Sequence, residues 1–228
     1  DFARQVEIYE MQLINLINQL RDDPEPVFLE NGIDVKAVDL MELASVLSKG
    51  LQPLIHHSDL YAAADELIVD MFENGHFTGI TSDGKNLGRR ARDNGYNWSW
   101  IAESKIRLTT CEPVSPTETV QRIFKYMVIN NLQNALMQKQ AALFAAEAEA
   151  VGVRIIAGSS VELSGICGDA LHIMVSDFGA PKMTDETEPD RSNDADKPEK
   201  QLIGLVFEDV NLNELYDAGK GLAGVGVN

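Results

Sequence analysis

The side chains able to do chemistry are few and scattered along this chain. Its 4 histidines are His56 and His57 beside Ser58, His76 just after Asn74-Gly75, and His172 in the apolar run ALHIMVSDF. An imidazole works as a base or a metal ligand only beside a group that orients it or shares the ion. His76 follows a helix-ending pair and reads first as a surface or capping residue; swinging inward toward a cleft carboxylate is its alternative. His172 reads as a hydrogen-bonded histidine of a core or cleft edge rather than a base, and His56-His57 as exposed. The carboxylate that stands out is Glu103, close behind Trp100 and Ile101. If buried it needs an arginine or backbone N–H groups as partner; with water in reach it could serve as a general base.

The C-terminal run Asp209-x-Asn211-x-Asn213, followed by Asp217-x-Gly219, carries the more specific ion signal. Oxygen side chains at loop positions 1, 3, 5 and 9 suit Ca²⁺, with the Leu215 carbonyl at position 7. Glu214 replaces the turn glycine and Lys220 replaces the final bidentate glutamate, so a solvated Asx-rich turn is the competing reading. Cys111 and Cys167 allow one disulfide, and two buried thiols fit the count equally well. There is no G-x-S-x-G, H-E-x-x-H, Walker loop or dinucleotide fingerprint, and Cys111 has no histidine near it in sequence. Nucleophilic and nucleotide chemistry therefore find no support.

Net charge is −17, from 36 acidic against 19 basic side chains. Such a surface repels phosphate backbones and anionic headgroups, which argues against nucleic acid as a partner. It favours cations, cationic partners or simple solubility. No apolar run approaches the roughly 18 residues of a membrane span. No signal peptide is present and Asp1 rather than Met opens the chain, so a leader removed by processing or by design is the expectation. With 228 residues, 44% of them hydrophobic, the chain can hold one domain within the usual range of about 100–200 residues plus an appendage.

The elements that must position these groups follow from periodicity. Residues 2–21 carry apolar positions at helical spacing and stop at Asp22-Asp23-Pro24. A Pro-rich turn and a helix over 38–47, closed by Gly50, come next, and Ser58 is a candidate N-cap with Asp59 in the first turn. The stretch from 61 to 103 organises the chain. Ala62, Ala63 and Ala64 lead Leu67, Ile68, Met71 and Phe72 along an amphipathic helix, which Asn74-Gly75 ends. A turn on Thr81-Ser82-Asp83-Gly84 and an Arg-rich helix over 87–92 then deliver Tyr96, Trp98 and Trp100 into one aromatic cluster, where packing should be densest. Residues 106–110 look like a short strand. Ser115-Pro116-Thr117-Glu118 opens a helix reaching residue 136, and residues 140–151 are helix-permissive. Strands over 151–157, 160–166 and 171–178 alternate between glycine breaks. Residues 181–200 form an acidic, proline-containing linker or loop, and 201–228 the start of a β repeat carrying the possible calcium loop. The expected fold is α/β, a three-layer α/β/α sandwich with a central antiparallel sheet and a short C-terminal β extension.

Residues 61–103 resemble the CAP superfamily (cysteine-rich secretory, antigen-5 and pathogenesis-related-1 proteins) in its bacterial SCP-like extracellular branch. The matching series is Ala63 to Met71, Phe77-Thr78-Gly79-Ile80, Asp83-Gly84, Arg90 to Trp98 and Ala102-Glu103-Ser104. The likeness extends more weakly over roughly residues 8 to 180, taken here as the CAP-like domain over 1–180, and the C-terminal run resembles the start of calcium-binding β repeats of bacterial surface proteins. The resemblance implies the same three layers and a cleft of two histidines and one or two glutamates that takes up a divalent metal such as zinc. This chain departs from that pattern. Gly79 stands where the first histidine belongs, with His76 three residues before it, and the second falls near Asn131 or Leu132. Only Glu103 survives, and a lone carboxylate is a poor zinc site.

The leading expectation is thus a secreted or cell-surface binding module with a degenerate, non-catalytic cleft and no zinc, whose partner is a protein, glycan or lipid. The alternatives are a peptidase-like hydrolase using Glu103, with His76 or His172, and a lipid or sterol carrier. A structural spacer before adhesive repeats is a further reading.

Overall fold

The amphipathic stripes sort onto the two faces of one sheet. A computed structural model describes residues 2–30, 50–110, 114–137, 139–158 and 170–182. The elements are α1 (Phe2–Asp22), α2 (Pro24–Glu30), β1 (Ile55–His56), α3 (Ser58–Asn74), α4 (Leu87–Asp93), β2 (Trp98–Thr110), α5 (Pro116–Leu136), a 3-10 turn (Ala142–Phe144), β3 (Ala150–Gly158) and β4 (Ala170–Pro181). The fold is α/β. Sheet order is β1-β3-β4-β2, with β2 and β3 both antiparallel to β4. The sheet is nevertheless mixed, because β1 joins β3 in parallel through Ile55↔Ala150 and His56↔Val151. No hairpin joins those two strands, so none dictates their direction.

On one face, Leu13, Ile14, Ile17 and Leu20 of α1 and Val120, Ile123, Met127 and Val128 of α5 close over Ile106, Val153, Met174 and Phe178. On the other, Ala64, Leu67, Ile68 and Met71 of α3 close over Ile173 and Val175. Both faces of β4 are therefore covered, which is why its apolar run is nearly continuous.

The helix ends follow local chemistry. Gly75 stops α3 at φ 68, its N–H bonded to the Met71 carbonyl. The N-cap of α3 is His57, whose Nδ1 accepts the Asp59 N–H at 3.3 Å, one residue before the expected Ser58. His57 is half-buried rather than exposed, its ring edge-on to Tyr96 at 4.8 Å. Asn86 caps α4 and Ser115 caps α5.

Several expectations change. Pro24 and Pro26 start α2 instead of a turn, since proline fits a helix's first turn. β2 begins at Trp98, well before residue 106, with a register shift between Trp98 and Trp100. The extra residue, Ser99, sends the two tryptophans to opposite faces. Trp98 packs near Leu60, Ala91 and Tyr96, and Trp100 packs against the α1/α5 core. Both are half-buried, so the expected single aromatic cluster is divided and the largest core lies between α1, α5 and the sheet.

Residues 140–151 hold only the 3-10 turn before β3. Their carbonyls serve the buried Arg21 instead: its NH1 donates to Leu143 O at 3.0 Å and Ala145 O at 3.1 Å, and its NH2 to Ala148 O at 3.1 Å. Its Nε donates to Gln52 O at 2.9 Å. Burial lowers the Arg21 pKa to about 10, leaving it cationic at neutral pH.

The expected helix over 38–47, the strand over 160–166, most of the linker and the 201–228 extension lie outside the described residues, as do Cys111, Cys167, Asp209, Asn211, Asn213 and Asp217. Among the described residues no helix is long and apolar enough to cross a membrane.

Candidate functional site

Glu103 sits mid-strand on β2, on the face covered by α3 and α4, directly across from Asp177 of β4. Its carboxylate is nearly closed off, with 9% of the side chain exposed. Oε2 accepts from Arg90 NH2, and Oε1 accepts from Lys105 Nζ two residues along the same strand face. Arg90 is fully buried on α4. Its Nε donates to Ala63 O of α3 at 3.2 Å, and its NH1 donates to Gly79 O at 3.0 Å and Lys85 O at 3.4 Å. One guanidinium therefore ties together α3, α4, β2 and the 79–85 loop, a task that suits its planar fork of donors.

Gly79 lies against this pair. A Cβ there would stand 3.1 Å from both Glu103 Oε1 and Lys105 Nζ. Asp177 completes the cluster: it is fully buried, and neither carboxyl oxygen has a hydrogen-bond partner among the described residues. Burial and then the neighbouring Glu103 push its pKa well above the ordinary carboxylate value, against the opposing pull of Arg90 and Lys105.

His76 belongs to a separate network. Its Nε2 lies 2.6 Å from Asp70 Oδ2, and its Nδ1 accepts the Thr78 N–H at 3.4 Å. These contacts assign the Nε2–H tautomer in the neutral ring. Asp70 Oδ2 also accepts from Ser82 N at 2.8 Å and Ser82 Oγ at 3.2 Å. Partial burial raises the Asp70 pKa, but the bonds from Ser82 and His76 outweigh it and hold it below the usual value. The network fastens the turn after α3, and His76 points its ring at Asp70 rather than at Glu103.

Asn131 and His172 lie on the opposite face from Glu103. Asn131 on α5 donates to Met127 O at 2.9 Å and Ser104 Oγ at 3.5 Å, and its Oδ1 accepts the Leu143 N–H at 3.1 Å. Ser104, next to Glu103, points to the other side of the strand. His172 pairs with Leu108, a residue of the α1/α5 core, and burial lowers its pKa. Glu103, Asn131 and His172 are thus not brought together, and strand alternation is the physical reason.

The donor set does not fit zinc. Zinc wants several nitrogen, sulfur or oxygen ligands around one point; here the carboxylate meets two cations, and Gly79 offers no imidazole. Among the described residues, no three His, Cys, Asp or Glu side chains group closely enough to hold a metal ion. Lys105 Nζ is paired with Glu103 Oε1. Sequence reasoning missed Arg90, Lys105 and Asp177 as members of the site. For Asp177 a signal existed: an acidic residue in an apolar strand, VSDFG, must face a covered layer on either side.

The sequence matches no protein-family profile and no curated protein. Among solved structures, the fold is similar to an outer surface protein from Borrelia burgdorferi, at 16% identity and TM-score 0.40, covering 63% of this chain and 88% of that one. It is also similar to an extracellular protein containing an SCP domain from Bacillus anthracis strain Ames, at 14% identity and TM-score 0.37. That match covers 57% of this chain and 34% of the other.

Proposed function

We propose that this chain is an extracellular CAP-type binding or interaction module whose cleft carboxylate has been converted from a metal ligand into an internal ion-pair partner. The observation that carries this reading is the occupation of both Glu103 oxygens by Arg90 and Lys105, with Gly79 against them. A carboxylate so engaged is a poor general base for water, which counts against the Glu103-dependent hydrolase. The ordered series from Ala63 to Ser104 supports the CAP reading, and its members fall in sequence on α3, the following loop, α4 and β2. The partner is a protein, glycan or lipid presented to a strongly acidic surface, with net charge −17. Secretion, the 201–228 β repeat and its calcium loop belong to the same proposal.

Calorimetric titration of zinc and calcium into the wild type and Glu103→Gln tests it. The expected outcome is no stoichiometric zinc uptake by either, together with a main unfolding transition unmoved by millimolar EDTA. Zinc uptake that Glu103→Gln abolishes would sink the proposal and bring the hydrolase forward. Calcium uptake unaffected by that substitution would assign the ion to the Asp209 loop.

A further inference from the structure

Asp177 is the fully buried member of the Glu103 cluster whose carboxyl has no hydrogen-bond partner among the described residues. It lies on β4 between Glu103 on β2 and Gly152 on β3. Gly152 lets the α3 backbone settle onto the sheet, since a Cβ there would overlap the Leu60–Tyr61 peptide, and Asp177 beside it is fully buried. The charges acting on Asp177 are Glu103 and Lys105 from β2 and Arg90 from α4. None of them hydrogen-bonds it; both cations are directed at Glu103 instead. A buried carboxylate without a single hydrogen bond is far costlier than the neutral acid.

We infer that Asp177 carries its proton in the folded protein and acts as a latch on the 79–85 loop. While it is neutral, Arg90 and Lys105 both stay on Glu103, and Arg90 NH1 keeps Gly79 O and Lys85 O in place. Loss of the proton to solvent creates a second carboxylate that competes with Glu103 for the same two cations. Drawing Arg90 toward Asp177 costs the loop its anchor. The latch shares the Glu103 pairing with the reading above but needs no binding partner, and the measurements below test it separately.

The sign of the pH effect follows from the raised folded-state pKa. The stability Asp177 contributes is fully present below its unfolded pKa of about 3.9 and is lost as pH rises toward the folded value. Urea unfolding of the wild type and Asp177→Asn, from pH 4 to 9, reads this directly. Asparagine keeps the shape and the neutrality. The wild type should lose ground to the variant by about tenfold in unfolding constant per pH unit until Asp177 ionises. A gap that stays constant, or that closes in favour of the wild type as pH rises, would overturn the inference.

Amide hydrogen exchange over residues 79–86, corrected for intrinsic pH dependence, tests the latch itself. Protection should fall at high pH in the wild type and persist in Asp177→Asn; equal protection in both would overturn it. Should the variant fail to fold, infrared spectroscopy of the wild type with isotope-labelled aspartate decides. A protonated carboxyl band at neutral pH is expected, and its absence refutes the inference.

Discussion

Arg21 and Arg90 are both closed off from solvent, one in each helical layer, yet they are satisfied by different chemistry. Arg21 gives its hydrogen bonds to four backbone carbonyls from residues 52, 143, 145 and 148. Those four partners are peptide carbonyls, which do not titrate, and the charge acts as a rigid peg that holds the 142–148 segment against α1. Arg90 also takes carbonyls, but it shares Glu103 with Lys105 beside Asp177, whose carboxyl has no hydrogen-bond partner among the described residues. Satisfying one arginine needs one carboxylate at most. The second carboxyl and the lysine make the Arg90 side responsive to charge in a way the Arg21 side is not, and that surplus is why the candidate site belongs there.

The largest effect should come from Arg21→Met, which strands four carbonyls at once. About 3–5 kcal/mol of stability should be lost, equally at pH 5 and pH 9, by urea unfolding. A marked pH dependence would break the contrast. Arg90→Met should cost about 3 kcal/mol, because it strands the Ala63, Gly79 and Lys85 carbonyls while Lys105 remains on Glu103. Adding Glu103→Gln should recover part of that loss, because it removes the carboxylate left behind; a double-mutant cycle reads the coupling, and simple additivity would deny that the pair acts as a unit.

Asp70→Asn, in the His76 network, should cost about 1–2 kcal/mol at neutral pH. Asp70 has a depressed folded-state pKa, so its contribution is present above its unfolded value of about 3.9 and is lost as pH falls through the folded one. The wild type and variant should therefore converge in acid, opposite in sense to Asp177→Asn. Smallest of all, Arg122→Ala removes an exposed i,i+4 pair with Glu118 and should shift stability by no more than about 0.5 kcal/mol.

The helical layers were legible because their signals are local. The Asn74-Gly75 stop, the Ser115 cap and the 3.6-residue stripes act within a few residues of themselves. Where long-range contacts decide, local patterns carry no such signal. Ser99 breaks the alternation of β2, so the strand's first half was hidden and simple alternation put the two tryptophans on one face. The Ala-rich 140–151 stretch is helix-permissive, but its carbonyls go to Arg21, more than a hundred residues away. Glu103 could be picked out from its motif. Its meeting with Arg90 and Asp177 joins three separate elements, and no sequence spacing records that.

The central claim, that internal cations occupy both Glu103 oxygens, is tested most directly by NMR of the lysine side-chain ammonium groups. A slowly exchanging ammonium resonance, absent in Lys105→Met and shifted in Glu103→Gln, is the expected result. A Lys105 ammonium that exchanges with water as fast as the exposed lysines, and is indifferent to Glu103→Gln, would contradict the account.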